Sequence, residues 1–134
     1  MLGLPESLPT NGRKAFTGLV CPDCSGNLVI SVHSDHISFA CRVGHRYGAS
    51  ELVLAKDTAI EAILWKAVFA FEELEALLSD LRRHGLTEAF DAGAVRARAE
   101  LAREQASRLR AIIEADRTLT ERRREQGEIG TGAP

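Results

Sequence analysis

The fold of this chain is decided by residues 19–47, LVCPDCSGNLVISVHSDHISFACRVGHRY, which hold all three cysteines and three of the four histidines. Cys21 and Cys24 form a C-x-x-C pair, and Cys41 and His45 form a second close pair. Thiolates and imidazole at such spacing are the ligands that tetrahedral zinc prefers in structural sites. The sequence therefore predicts one structural Zn²⁺ per chain, bound by these four side chains.

A β-hairpin is predicted between the two pairs. The runs 27–32 and 37–41 are rich in β-branched and apolar residues, and the polar tetrad 33–36 separates them. Such a hairpin returns the second pair beside the first, as in a zinc ribbon. His33 and His36 fall at its tip, several strand residues from the cysteines, so we expect them to be exposed turn residues with an open role.

Other interpretations of the cysteines are weaker. A disulfide between Cys21 and Cys24 leaves Cys41 unexplained, and residues 17–48 have too little apolar mass to fold unaided. Four protein ligands leave no open position for water on the metal, so hydrolytic chemistry is not expected. No nucleophile, base and orienting group stand together elsewhere in the sequence, and we expect no enzyme activity.

Two helices are predicted after the Cys-rich segment, since no proline occurs from Ser50 until Pro134. Ser50 is the expected N-cap of the first helix and Gly85 its end, and the second helix is expected from about Ala94 to about Arg124. The fold class is thus small α+β, a zinc-ribbon-like module followed by a long antiparallel αα-hairpin. The expected parts are a flexible leader (1–16), the zinc-ribbon-like module (17–48), the helical hairpin (50–125) and a flexible tail (126–134).

Each predicted helix has an apolar stripe with heptad spacing, which favours packing of the two helices against each other. The stripe residues of the first helix are Ile60, Leu64, Ala67, Phe71, Leu74, Leu78 and Leu81. Those of the second are Val95, Ala99, Ala102, Ala106, Leu109 and Ile113. Five large apolar residues lie off the stripes and are candidates for a surface that binds a protein partner or a second copy: Trp65, Phe69, Leu77, Leu101 and Ile112.

Charge and hydropathy narrow the function classes. The net charge is −2 and the pI about 6.1, so the chain has no overall attraction for polyanions. The arginines of the second helix alternate with glutamates, which is typical of a solvated helix face. A nucleic-acid-binding zinc ribbon therefore remains the alternative to a protein-interaction module. No secretory signal or membrane span is recognisable, so we expect a cytoplasmic protein without membrane contact.

Part of the sequence resembles a known extension of a signalling enzyme. The resemblance is based on the segments LVCPDCSGNL (19–28), FACRVGHRY (39–47) and AILW (62–65) and on the pair Glu72-Glu73. They are similar to a C-terminal extension of some CheB-type chemotaxis protein-glutamate methylesterases, over roughly residues 17–83.

The resemblance implies the same four metal ligands and a connection with chemotaxis-like or two-component signalling. It implies no catalysis, because the methylesterases carry their serine-histidine-aspartate site on an α/β domain that this sequence lacks. No G-x-S-x-G-like elbow and no alternation of strands and helices occur here.

Overall fold

The computed structural model describes residues 2–86 and 91–125 and confirms the small α+β fold, with a four-stranded antiparallel sheet followed by two helices. The strands lie in the order β1-β2-β3-β4. Their bounds are β1 Lys14–Val20, β2 Asn27–Val32, β3 Ile37–Cys41 and β4 Arg46–Gly48, and the helices are α1 Ala49–Arg83 and α2 Ala92–Glu125. The predicted tail, residues 126–134, lies outside the described residues.

The predicted hairpin is confirmed at its predicted bounds, but the sheet is larger than the sequence indicated. Strand β1 begins at Lys14, inside the predicted leader 1–16, and β4 has only three residues. Strand β1 was missed because its register on β2 shifts between Phe16 and Val20, which breaks the alternation that marks a strand. At this irregularity the Thr17 hydroxyl donates to the Leu28 carbonyl at 2.7 Å.

The sheet packs a small core that includes one residue of α1. Its buried members are Cys21, Leu28, Ile30, Phe39, Cys41 and Leu52. Two of the predicted metal ligands are therefore core residues of the sheet. By its contacts the chain divides into two compact units between Ala59 and Ile60, inside α1.

The ends of α1 follow backbone capping rules. The helix begins two residues earlier than an N-cap at Ser50 implies, because the Gly48 N–H donates to Glu51 Oε2 at 3.2 Å, as in one half of a capping box. Ser50 therefore lies within the first turn and is not the N-cap. The predicted end is confirmed: Gly85 has φ +69°, its N–H donates to the Arg82 carbonyl, and Leu86 N–H donates to the Leu81 carbonyl. This is a Schellman motif.

Helix α2 begins two residues earlier than predicted. Asp91 caps it, because its Oδ1 accepts from Gly93 N–H at 3.3 Å and its carbonyl accepts from Val95 N–H at 3.0 Å. Gly93 thus lies in the first turn and not ahead of the helix.

The two helices pack through α2's predicted stripe, which is confirmed except that Leu109 is only half-buried. On α1 the prediction is partly wrong. Val68 is fully buried although it lies off the predicted stripe, and Ile60 on that stripe is 50% exposed. No helix among the described residues is long and apolar enough to cross a membrane.

The left-handed conformation of Gly85 gives a stability prediction. We expect Gly85→Ala to lower the free energy of unfolding by about 1 kcal/mol, because an alanine is strained at positive φ. Open space surrounds the position, so no steric clash contributes. Urea unfolding followed by circular dichroism measures the change.

Gly93→Ala is the matched control, since Gly93 has ordinary helical geometry and room for a methyl group. We expect it to leave stability unchanged or to raise it. Equal destabilisation by both substitutions would contradict the assignment of Gly85 as a conformational cap.

Candidate metal centre

The first ligand pair lies in the turn between β1 and β2. The turn is closed by Cys21 N–H donating to the Gly26 carbonyl at 2.7 Å and by Ser25 N–H donating to the Cys21 carbonyl at 2.8 Å. Ser25 has φ +61°, which bends the chain back within the C-x-x-C segment. A Cβ on Gly26 would lie 3.4 Å from the Cys24 sulfur, so the glycine lets the backbone pass close to it. The turn thus holds both sulfurs on one side.

The second pair lies in the turn between β3 and β4. The Cys41 N–H donates to the His45 carbonyl at 3.1 Å, and Gly44 N–H donates to the Cys41 carbonyl at 3.2 Å. Gly44 adopts φ +113°, a conformation that strongly favours glycine. The His45 N–H also donates to the Cys41 sulfur at 3.3 Å. This turn presents the sulfur and the imidazole to the same point.

Strand pairing brings the two turns together. Cys41 pairs with Leu28 in the β2–β3 register, so the end of β3 stands beside the turn that precedes β2. One ligand atom from each of Cys21, Cys24, Cys41 and His45 then lies within 4.8 Å of every other. The structure places all four sequence-predicted ligands in one cluster that could hold a metal ion.

Close approaches within the cluster occur both between the two turns and inside the second turn. The Cys24 and Cys41 sulfurs are 3.7 Å apart, and the Cys21 sulfur is 3.6 Å from His45 Nδ1. The Cys41 sulfur is 3.3 Å from the same nitrogen. All three cysteines are free thiols, with Cys21 and Cys41 buried and Cys24 exposed.

Hydrogen bonds lower the pKa of two of the thiols. Burial raises the pKa of the Cys41 thiol, but the backbone N–H groups of His45 and Gly44 outweigh it and bring the pKa to about 6. Burial likewise raises the pKa of Cys21, yet its contact with the Tyr47 hydroxyl and hydrogen bonds from the turn backbone hold it below its ordinary value. Thiolates, not thiols, bind metal ions, so this environment suits metal binding.

The pKa values of the other two predicted ligands, Cys24 and His45, are raised by the neighbouring sulfurs. The Gly26 N–H lowers the pKa of Cys24, but burial and the Cys21 and Cys41 sulfurs raise it more, so it lies above the ordinary value. The hydrogen bond to Cys41 raises the pKa of His45. Three sulfurs this close cannot all ionise cheaply without a cation between them.

Tyr47 is a further member of the site that the sequence reasoning did not single out. Its hydroxyl lies 3.3 Å from the Cys21 sulfur and donates a short hydrogen bond to Asp23 Oδ2, inside the C-x-x-C turn. The Asp23 and Cys21 contacts raise the pKa of Tyr47 well above its usual value, so it stays a donor. Position 47 alone carried no signal, because only the pairing of β4 with β3 brings it beside Cys21.

The remaining histidines lie apart from the cluster. His33 and His36 are exposed at the hairpin tip, with stacked rings 4.5 Å apart between centroids, and His36 Nδ1 lies 2.7 Å from Asp35 Oδ1. This contact holds the pKa of Asp35 below its ordinary value. The exposure predicted for both residues is confirmed. His84 directly follows the end of α1.

The five candidate partner-binding residues differ in accessibility. Trp65 packs against the buried cluster of the hairpin, and Arg110 lies over its ring at 5.3 Å. Phe69 stacks on Trp65 and is 55% exposed. Leu77, Leu101 and Ile112 are each about half exposed.

In comparisons with protein-family models, curated proteins and solved structures, nothing matches the chain. The resemblance to a methylesterase extension therefore stays a prediction. The interpretation of the site depends on its own geometry and ligand chemistry.

The Tyr47 contact predicts a measurable effect on metal affinity. We expect Tyr47→Phe to weaken metal binding roughly tenfold, because outer hydrogen bonds that orient a ligand contribute about 10–100-fold to affinity. The phenylalanine ring retains the packing of Tyr47 on the sheet core. Competition titration with a chromophoric chelator measures the change.

Val43→Ala is the matched control, because Val43 belongs to the same turn as His45 but is 74% exposed. Its affinity should equal that of the wild type. A Tyr47→Phe variant with wild-type affinity would remove Tyr47 from the site.

Proposed function

We propose that this protein is a non-catalytic, zinc-stabilised protein-interaction module. The observation that carries the proposal is the convergence of Cys21, Cys24, Cys41 and His45, whose ligand atoms lie within 4.8 Å of one another. Three thiols and an imidazole are soft and borderline ligands, which favour zinc over calcium or magnesium. The reducing cytoplasm, where thiols stay free, is the compartment that suits them.

The distances in the cluster support zinc. A tetrahedral ion with Zn–S of about 2.3 Å and Zn–N of about 2.0 Å separates two sulfurs by about 3.8 Å and a sulfur from a nitrogen by about 3.5 Å. The Cys24–Cys41 separation is 3.7 Å, and the Cys21–His45 and Cys41–His45 separations are 3.6 and 3.3 Å. Three of the six separations thus match a tetrahedral ion, and the ligand atoms of the remaining pairs lie within 4.8 Å of one another.

A structural role for zinc follows from the number and burial of the ligands. Four protein ligands complete a tetrahedron and leave no position for a reactive water. Cys21 and Cys41 belong to the buried core of the sheet. A metal bound there would connect the two turns and thereby stabilise the small sheet.

The interaction surface belongs to the helical hairpin. Phe69, Leu77, Leu101 and Ile112 are each between 43% and 55% exposed, although they are large and apolar. Contiguous exposed apolar patches mark binding surfaces, and these four residues are the candidates for such a patch on the hairpin. The resemblance to the methylesterase extension supports a partner in chemotaxis-like or two-component signalling.

Nucleic-acid binding has less support. Arg103, Arg108 and Arg110 each contact a glutamate at 2.5–2.6 Å, and Arg117 lies 3.9 Å from Glu61. Arginines neutralised by glutamates attract phosphate weakly. Salt-dependent binding to generic duplex DNA or single-stranded RNA would favour this alternative.

Native mass spectrometry with and without a strong chelator tests the zinc assignment. We expect one zinc per chain. When the chelator removes it, the charge states should shift to the higher values of an unfolded chain, because metal binding and folding are coupled. His45→Ala should lose at least tenfold in zinc affinity, since it removes one ligand.

His36→Ala is the matched control, because His36 is exposed outside the cluster. It should bind zinc like the wild type. A protein that purifies without metal and keeps its fold in the chelator would overturn the structural role of zinc.

A further inference from the structure

Helix α1 carries a second apolar stripe, of whose seven members four are exposed and three half-buried. Beginning at Ile60, apolar residues recur at alternating spacings of three and four: Ile60, Ile63, Ala67, Ala70, Leu74, Leu77 and Leu81. We name this set the outer stripe. Alternating spacing of three and four is the signature of a helix that packs along its length against another helix.

The outer stripe is not the surface that packs on α2. Helix α1 faces α2 through Val68, which is fully buried, with Leu64, Trp65 and Phe71 around it. Within the outer stripe, Ile60, Ile63 and Leu77 are 50%, 63% and 55% exposed. One side of α1 is therefore used within the hairpin, and on the second apolar side Ile60, Ile63 and Leu77 remain largely uncovered by the described residues.

Ion pairs fix which flank of the hairpin is already used. Arg103, Arg110 and Arg117 of α2 reach across to glutamates of α1. At 100° per residue, Leu101 and Ile112 lie roughly half a turn from these arginines. Leu101 and Ile112 are 43% and 47% exposed. They extend the apolar surface of the outer stripe on the flank opposite the ion pairs.

We infer that the outer stripe of α1 is the interface between two antiparallel copies of this chain, so that two hairpins form a four-helix bundle. This rests on the proposed role of the hairpin as an interaction surface and names the partner. In an antiparallel heptad pairing, Ile60 lies opposite Leu77 of the second copy and Ile63 opposite Leu74. The small pair Ala67–Ala70 then falls at the closest approach.

Charge complementarity supports the antiparallel arrangement. Lys66 and Glu73 border the outer stripe seven residues apart and are both exposed. Neither takes part in an ion pair with any side chain that the structure describes, that is, within residues 2–86, 91–117 and 121. Antiparallel pairing places Lys66 of one copy near Glu73 of the other, whereas parallel pairing sets equal charges at the same height.

The available area is sufficient for a dimer. The exposed parts of Ile60, Ile63, Leu77, Leu101 and Ile112 amount to roughly 500 Å² per copy, so two copies would bury about 1,000 Å². This is the lower limit of a specific interface, and the surrounding side chains add to it. The dimer should therefore be reversible and dependent on concentration.

Sedimentation velocity of the full chain over a range of concentrations tests the inference. The wild type should dimerise, and Ile63→Glu should weaken dimerisation at least tenfold, because it places a charge in the apolar interface. Ala76→Glu is the matched control on the same helix, since exposed Ala76 lies outside the outer stripe. Circular dichroism checks that every variant keeps its helices.

Charge reversal provides a second test that leaves the apolar residues intact. Lys66→Glu should weaken the dimer severalfold, and the double variant Lys66→Glu, Glu73→Lys should restore it. A monomeric wild type at about 100 µM would overturn the inference, as would equal weakening by Ala76→Glu and Ile63→Glu. Failure of the double variant to restore dimerisation would overturn the antiparallel arrangement.

Native mass spectrometry of the same samples separates this inference from the zinc proposal. A zinc-loaded monomer would overturn the dimer and leave the structural zinc intact. A metal-free dimer would overturn the structural zinc and leave the dimer intact.

Discussion

The pairing of β2 with β3 is the constraint on which the candidate metal centre depends. It places Cys41 beside Leu28 and so brings the C-x-x-C turn and the second turn to one point. The same strands supply most of the small core, in which Cys21 and Cys41 are themselves buried. A substitution of either predicted ligand, Cys21 or Cys41, would therefore also change the core of the sheet. A sheet of this size has few apolar contacts, so a bound metal ion would contribute a large share of its stability.

Electrostatics and backbone geometry serve the same site. Turns that need positive φ at Ser25 and Gly44 aim N–H groups towards the sulfurs, and those N–H groups favour thiolates. Tyr47 connects the first turn to β4 by contacting both Asp23 and Cys21. The positive φ angles of the turns thus allow the backbone hydrogen bonds that favour the thiolate form, which a metal ion requires.

The two exposed flanks of the helical hairpin differ in chemistry, one being charged and the other apolar. Alanines on α2 let the two helices approach closely, with Val68 fully enclosed between them. Ion pairs cover one flank, where each pair stabilises the helices by only about 0–1 kcal/mol. Large apolar side chains remain on the other flank. An exposed apolar flank of this kind is typical of an interaction surface, the role proposed above.

Local signals in the sequence were sufficient for much of this structure. Ligand spacing predicted all four members of the cluster, the polar tetrad predicted the hairpin, and the end of α1 at Gly85 follows from its conformational freedom. These features depend on residues close in sequence or on strict spacing. The class of the fold was confirmed for the same reason.

Only the tertiary structure decided the remaining features. Strand β1, with its shifted register, and the three-residue β4 exist because neighbouring strands provide hydrogen bonds. Tyr47 joins the site through that pairing. On α1, two apolar stripes overlap in sequence, so periodicity could not tell which one faces α2. Packing against the alanines of α2 selected Val68 and left Ile60 and Ile63 exposed, because side-chain fit and not hydrophobicity alone determines a helix contact.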